Sequence, residues 1–168
     1  MFRGPFTLIL SGATGSGLIG EGVETFNGIP DMNKIKEQEK PLLLILDDLM
    51  LNMQNTFLDL LFTRGSHNWN VSVIFVTQSL YGRDIKTARA NAHYLVLMRN
   101  PSGQLQVRTL GSQLFPKRLN YFMDAYHDAT NNQFSYLMIN MHPNSEEEFR
   151  LCSKIFPDET LEIYLPIE

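Results

Sequence analysis

The chain has one cysteine, Cys152, among 168 residues, so an internal disulfide is excluded. In the string Leu151-Cys152-Ser153 it reads as a small core residue, which fits a reducing compartment. No run of eighteen apolar residues occurs, so no transmembrane span and no membrane partner are expected. The start, Met1-Phe2-Arg3-Gly4-Pro5, lacks the apolar stretch and cleavage site of a signal peptide, and an intracellular location, nucleus or cytoplasm, is expected. Charge of one sign is also scarce. With 14 Lys and Arg against 18 Asp and Glu, the net charge is −4, which excludes nucleic-acid binding by bulk charge and leaves only a local basic patch. His67, His93, His127 and His142 stand far apart without metal-ligand spacing.

What is present suits one globular domain. A hydrophobic content of 43% can supply a real core. Apolar runs alternate with helical periodicity through the first two-thirds of the chain. Strands are expected at Phe6–Leu10, Leu42–Leu46, Val71–Val76 and Tyr94–Met98. Between them, Asp31 is placed to cap a short helix. Met53, Phe57, Leu60 and Leu61 mark another, with Gly65 as its stop. Asp84 and Ser102 are further candidate caps, Leu105, Leu110 and Leu114 a helix face, and Pro116 a helix start. A short strand is expected at Val23–Phe26, and further ones at Phe134–Met141, Leu151–Phe156 and Glu162–Tyr164. The fold class is therefore α/β with a mainly parallel sheet. A single domain spans 1–168, with a core over 6–133 and a strand-rich extension over 134–168.

Two strings carry chemistry. Leu42-Leu43-Leu44-Ile45-Leu46-Asp47-Asp48 reads as a buried strand delivering two carboxylates to the carboxyl edge of a sheet, as P-loop hydrolases present a magnesium ligand. Upstream, a strand runs into Gly12-Ala13-Thr14-Gly15-Ser16-Gly17. Gly12 and Gly17 have the spacing of a phosphate-cradling loop, but Leu18 and Ile19 follow where Lys and Ser or Thr would stand. Backbone N–H groups of such a loop can still face an anion. However, Gly20, Gly22 and Gly28 each disfavour helix by about 1 kcal/mol, so the phosphate-binding helix is expected to be missing too.

Several strings, in order along nearly the whole chain, resemble the DNA-packaging ATPases of Polinton (Maverick) elements and large DNA viruses, in the HerA–FtsK superfamily. They are Pro5-Phe6-Thr7, Gly28-Ile29-Pro30-Asp31, Leu44-Ile45-Leu46-Asp47-Asp48-Leu49, Gly65-Ser66-His67, Val73-Ile74-Phe75-Val76-Thr77-Gln78, Asn91-Ala92-His93-Tyr94, Asn100-Pro101 and Ile155-Phe156-Pro157-Asp158. The resemblance implies a P-loop fold and ATP hydrolysis with Mg2+, coupled to moving double-stranded DNA by a homo-oligomeric ring. It implies that Asp47 ligates magnesium, that Asp48 polarises the attacking water, and that Gln78 senses the terminal phosphate. Gly12, Ala13, Thr14, Gly15, Ser16 and Gly17 would be the remnant of the phosphate cradle. Arg64 or Arg89 would reach a neighbouring subunit's phosphate. Relative to that family, the Lys-Thr or Lys-Ser pair, its helix and a further strand are missing, by deletion, splicing or gene-model error. Activity is therefore expected to be lost, and Phe6, Leu8, Leu10, Leu44 and Leu46 are expected to be only partly covered.

Each residue also has a plainer reading. Asp47 and Asp48 can end a strand and cap a helix. Gln78 can be a polar turn residue, and the glycine loop a tight turn. Trp69 reads as a packing anchor rather than a stacking platform for DNA. A non-catalytic interaction module and a genomic relic are the alternatives to a degenerate motor domain.

Overall fold

The computed structural model describes residues 4–11, 25–26, 28–47, 55–82 and 85–166. Within them one sheet of seven strands runs in the order β2-β3-β1-β4-β5-β6-β7. The strands are β1 (Thr7–Ser11), β2 (Leu42–Asp47), β3 (Val71–Thr77), β4 (Tyr94–Met98), β5 (Tyr136–Asn140), β6 (Leu151–Ser153) and β7 (Glu162–Ile163). The first four are mutually parallel. β5, β6 and β7 then add on antiparallel, so the sheet is mixed. The strand-rich extension thus continues the core sheet rather than forming a layer of its own.

The helices are α1 (Met32–Glu37), α2 (Asn55–Leu60), α3 (Ser66–Asn68), α4 (Lys86–Ala90), α5 (Gln104–Leu114) and α6 (Leu119–Ala129). A π-helical turn, Leu61–Gly65, joins α2 to α3. Asp31 caps α1 as its sequence suggests, its carboxylate accepting the Asn33 N–H at 2.9 Å.

Strand register assigns every side chain to a face. Thr7, Ile9, Leu44, Leu46, Val73, Phe75, Leu95, Leu97, Leu137 and Ile139 share one face. Its apolar members pack with Leu58, Leu61, Ile85, Ala88, Val107, Leu110, Phe122 and Tyr126, from helices and loops, in a single cluster. The other face holds Leu8, Tyr94, Val96, Met138 and Cys152 in a small second cluster, edged by Phe6, Leu10 and Ile74. Burial pushes the Cys152 thiol up to about 11, which fits a structural rather than a nucleophilic role. No helix among the described residues contributes to this second cluster.

Strand order explains the asymmetry. The β1-to-β2 connection passes β3 in one direction, and the β2-to-β3 connection returns. Right-handed crossovers in opposite directions lie on opposite faces. The return connection carries α2 and α3 on the well-covered face, so the outgoing connection is owed to the other. Its one described helix, α1, instead inserts Ile35 into the main cluster and sets Lys36 over the Trp69 ring, 4.8 Å from its centroid. The partial cover expected from the sequence is therefore real but differently distributed. Phe6, Leu10 and Leu44 are half-buried, yet Leu8 is only 6% and Leu46 only 2% exposed. The bare side chains on β2 are Leu43, at 52%, and Ile45, at 36%.

Several sequence signals acquire different roles. Gly65 does not stop its helix: it is buried inside the turn, where a Cβ would stand 3.2 Å from both Leu61 and Trp69. Asn100, not Ser102, caps the next element, its side chain accepting the Gly103 N–H at 3.1 Å. Leu105 is 77% exposed, and the buried stripe of α5 is Val107, Leu110 and Gly111. Pro116 lies in the turn before α6. Asp84 and half of the strand expected at Val23–Phe26 lie outside the described residues; Thr25 and Phe26, which are described, form no strand, and Phe26 is 69% exposed.

Ser66 is fully buried at the start of α3, and its hydroxyl has no hydrogen-bond partner among the described residues. A buried unmet hydroxyl costs about 1–3 kcal/mol, and alanine is also the better helix former. Ser66→Ala is therefore expected to stabilise the chain by about 1 kcal/mol. A urea midpoint that falls in the variant would contradict this.

Candidate functional site

The carboxyl ends of parallel strands are where α/β sheets place ligands, because loops diverge there and helix starts converge. In this chain β1, β2 and β3 end at the same edge. Ser11 is level with Thr77, and Asp47 is level with Val76. The strand carrying Gln78 lies between the strand that feeds the glycine loop and the strand that ends in Asp47. At about 4.8 Å per strand spacing, Asp47 and Ser11 are separated by about 10 Å, with Gln78 above the gap.

Asp47 and Gln78 are both exposed. Asp48 and Gly12, Ala13, Thr14, Gly15, Ser16 and Gly17 lie outside the described residues. The edge thus brings two of the expected site residues to the ends of neighbouring strands, Asp47 as the last residue of β2 and Gln78 as the first after β3.

The turn after β3 is braced from within the chain. Thr77 and Ser79 form a local turn in which the Thr77 hydroxyl accepts the Ser79 N–H at 3.2 Å. Gln106, on α5, accepts the Leu80 N–H at 2.8 Å and the Ser79 hydroxyl at 3.3 Å. Arg89 donates from Nη1 to the Leu80 carbonyl at 2.7 Å and stacks over Tyr81, 4.0 Å from the ring centroid. Arg89 therefore positions the segment beside Gln78 in its own chain. Arg64 is exposed on the π-helical turn, about nine residues down the helical run from Asn55, or roughly 13 Å at 1.5 Å per residue.

Gln106 is the residue that sequence reading missed. Its signal is only retrospective: a polar position on the same α5 helix as the buried Val107 and Leu110. Ser11, Leu97, Asn100 and Gln106 help to line a recess of about 10 Å³ beside the same edge, room for little more than a water. Among the described residues, no three His, Cys, Asp or Glu side chains converge as a metal site. In comparisons with known proteins, no family model, no curated protein and no solved structure matches this chain.

Proposed function

We propose that this chain is a degenerate ATPase-type domain of DNA-packaging descent, one that keeps the acid and the glutamine of the sheet edge but not the ability to hydrolyse ATP. The observation that carries the reading is the strand order at that edge. A glutamine that reads a terminal phosphate must stand between the phosphate loop and the acid that holds its metal, and Gln78 directly follows β3, the strand between β1 and β2. The exposed Asp47 is open to solvent, as a carboxylate meeting a hydrated cation should be.

The donor set does not fit productively held Mg-ATP. Leu18 and Ile19 offer neither the ammonium that neutralises terminal phosphates nor the hydroxyl that fixes magnesium. Losing preorganised charge of this kind costs about a hundredfold or more in rate for each group. Purified chain is therefore expected to show no ATP turnover above background, with or without double-stranded DNA. ATP is expected to bind no tighter than about 0.1 mM, weaker than roughly −5.5 kcal/mol. Turnover that disappears in Asp47→Ala, or micromolar magnesium-dependent binding by calorimetry, would overturn the proposal.

A second reading, a non-catalytic interaction module, is favoured by one specific observation. Among the described residues β2 is an edge strand whose exposed large apolar side chains are Leu43 and Ile45, with no charge in the strand before Asp47.

A further inference from the structure

A strand whose residues are apolar throughout is the pattern of a buried strand covered on both faces. β2 has that sequence, Leu42-Leu43-Leu44-Ile45-Leu46, yet among the described residues it pairs only with β3. Natural edge strands are usually blunted by charge, proline or a bulge, and between Leu42 and Leu46 there is none. Pro41 and Lys40 precede the strand, and Asp47 ends it.

The direction of the free backbone groups follows from the pairing. The Leu42 N–H donates to the Asn70 carbonyl, toward β3. Alternate residues of a strand point their N–H and C=O groups to alternate sides. Leu44 and Leu46 therefore also face β3, while Leu43, Ile45 and Asp47 present theirs to the open edge. The same Leu43 and Ile45 carry the exposed side chains. Backbone groups without a partner among the described residues and bare aliphatic side chains thus coincide at one line, and only another extended strand satisfies both.

We propose that β2 pairs antiparallel with β2 of a second copy of this chain, joining the two sheets edge to edge about a twofold axis at Leu44. This deepens the reading as an interaction module and holds whether or not ATP binds. Three features select this occupant and register. First, pairing about Leu44 places Leu43 of one copy opposite Ile45 of the other, so the outward N–H and C=O groups of both meet as a hydrogen-bonded pair. Second, paired residues share a face, so the exposed Leu43 and Ile45 side chains of the two copies pack on one another. Third, the charges agree: antiparallel pairing brings the Asp47 end of each strand to the Lys40-Pro41 start of the other, whereas a parallel pair would set Asp47 beside Asp47. The contact is isologous and closes at a dimer. A pairing of two six-residue strands is at the small end of specific interfaces, below about 1,200 Å², so association is expected to depend on concentration across the micromolar range.

The test is sedimentation velocity of the whole chain from about 1 to 200 µM, combined with disulfide trapping. Leu43→Lys and Ile45→Lys, at exposed positions, are expected to weaken dimerisation at least tenfold while leaving the circular dichroism unchanged. Lysine at the exposed Leu105 of α5 is the control and should have no effect. At the axis, Leu44 faces its own counterpart across a non-hydrogen-bonded pair, about 4.5 Å between Cα atoms, within the range a disulfide spans. Leu44→Cys should therefore form a covalent dimer under mild oxidation. Ile45→Cys, whose counterparts lie more than about 7 Å apart, should not, nor should the native chain with its buried Cys152. A monomer at every concentration, a dimer indifferent to both lysine variants, or trapping at Ile45→Cys in place of Leu44→Cys would each overturn the pairing.

Discussion

Gly111→Ala is expected to destabilise the chain by about 2 kcal/mol, although alanine is the better helix former. Gly111 lies in the last turn of α5, where α6 crosses it. A Cβ there would stand 2.3 Å from Cδ1 and 2.8 Å from Cε1 of Phe122, and 2.9 Å from Cδ1 of Leu119. Leu119 is half-buried and can turn aside. Phe122 cannot do so freely: it is 0% exposed, and its ring stacks on Phe115 with centroids 5.5 Å apart. Overpacking of a tight core contact costs about 1–3 kcal/mol, and this approach belongs at the upper end. Helix propensity returns about 1 kcal/mol. At about 2–4 °C per kcal/mol for a chain of this size, the melting temperature should fall by about 4–8 °C. Phe122→Leu in the Gly111→Ala background should recover part of the loss if the clash is the cause. A melt at or above that of the native chain would show that the two helices can separate cheaply.

Gly111 also shows what sequence reading cannot reach. A glycine inside an α5 pattern looks like a weak point, and the close approach that requires it exists only once α6 is docked. Gly65 is the same case, read as a stop because glycine usually ends helices, yet held inside one by Leu61 and Trp69. By contrast, β4 was legible to the residue, because Tyr94–Met98 is bounded by polar residues on both sides. Asp31 was legible as a cap because its chemistry is local. Leu42–Leu46 has no alternation, so its composition could not say which face was covered, nor that the strand lies at an edge. The expectation of partial cover held for Leu44, which is half-buried, and failed for Leu46 for that reason. The candidate site divides in the same way. Asp47 and Gln78 could be placed at strand ends from the apolar runs before them. That Gln78 stands between Asp47 and the glycine-loop strand depends on strand order, which no local pattern records.

The unequal cover of the sheet leads to the largest expected effect, a contrast between its two faces. Phe75 is 0% exposed near the carboxyl end of β3, flanked across the ladder by Ile9 on β1 and Leu46 on β2. Phe75→Ala removes a ring from the cluster that binds the described helices to the sheet, and large cavities of this kind cost about 3–5 kcal/mol. Leu43, on the neighbouring strand and the opposite face, is 52% exposed, so Leu43→Ala should cost under about 1 kcal/mol. A domain's whole stability is typically about 5–15 kcal/mol. A chain with one face of β2 bare should lie in the lower part of that range, and Phe75→Ala should then leave it largely unfolded near body temperature. Urea unfolding of the two variants in parallel decides the matter, at protein concentrations low enough to keep the chain monomeric. Similar losses for Phe75→Ala and Leu43→Ala would mean that both faces of β2 and β3 are equally packed in solution, and that the outgoing β1-to-β2 connection covers the sheet after all.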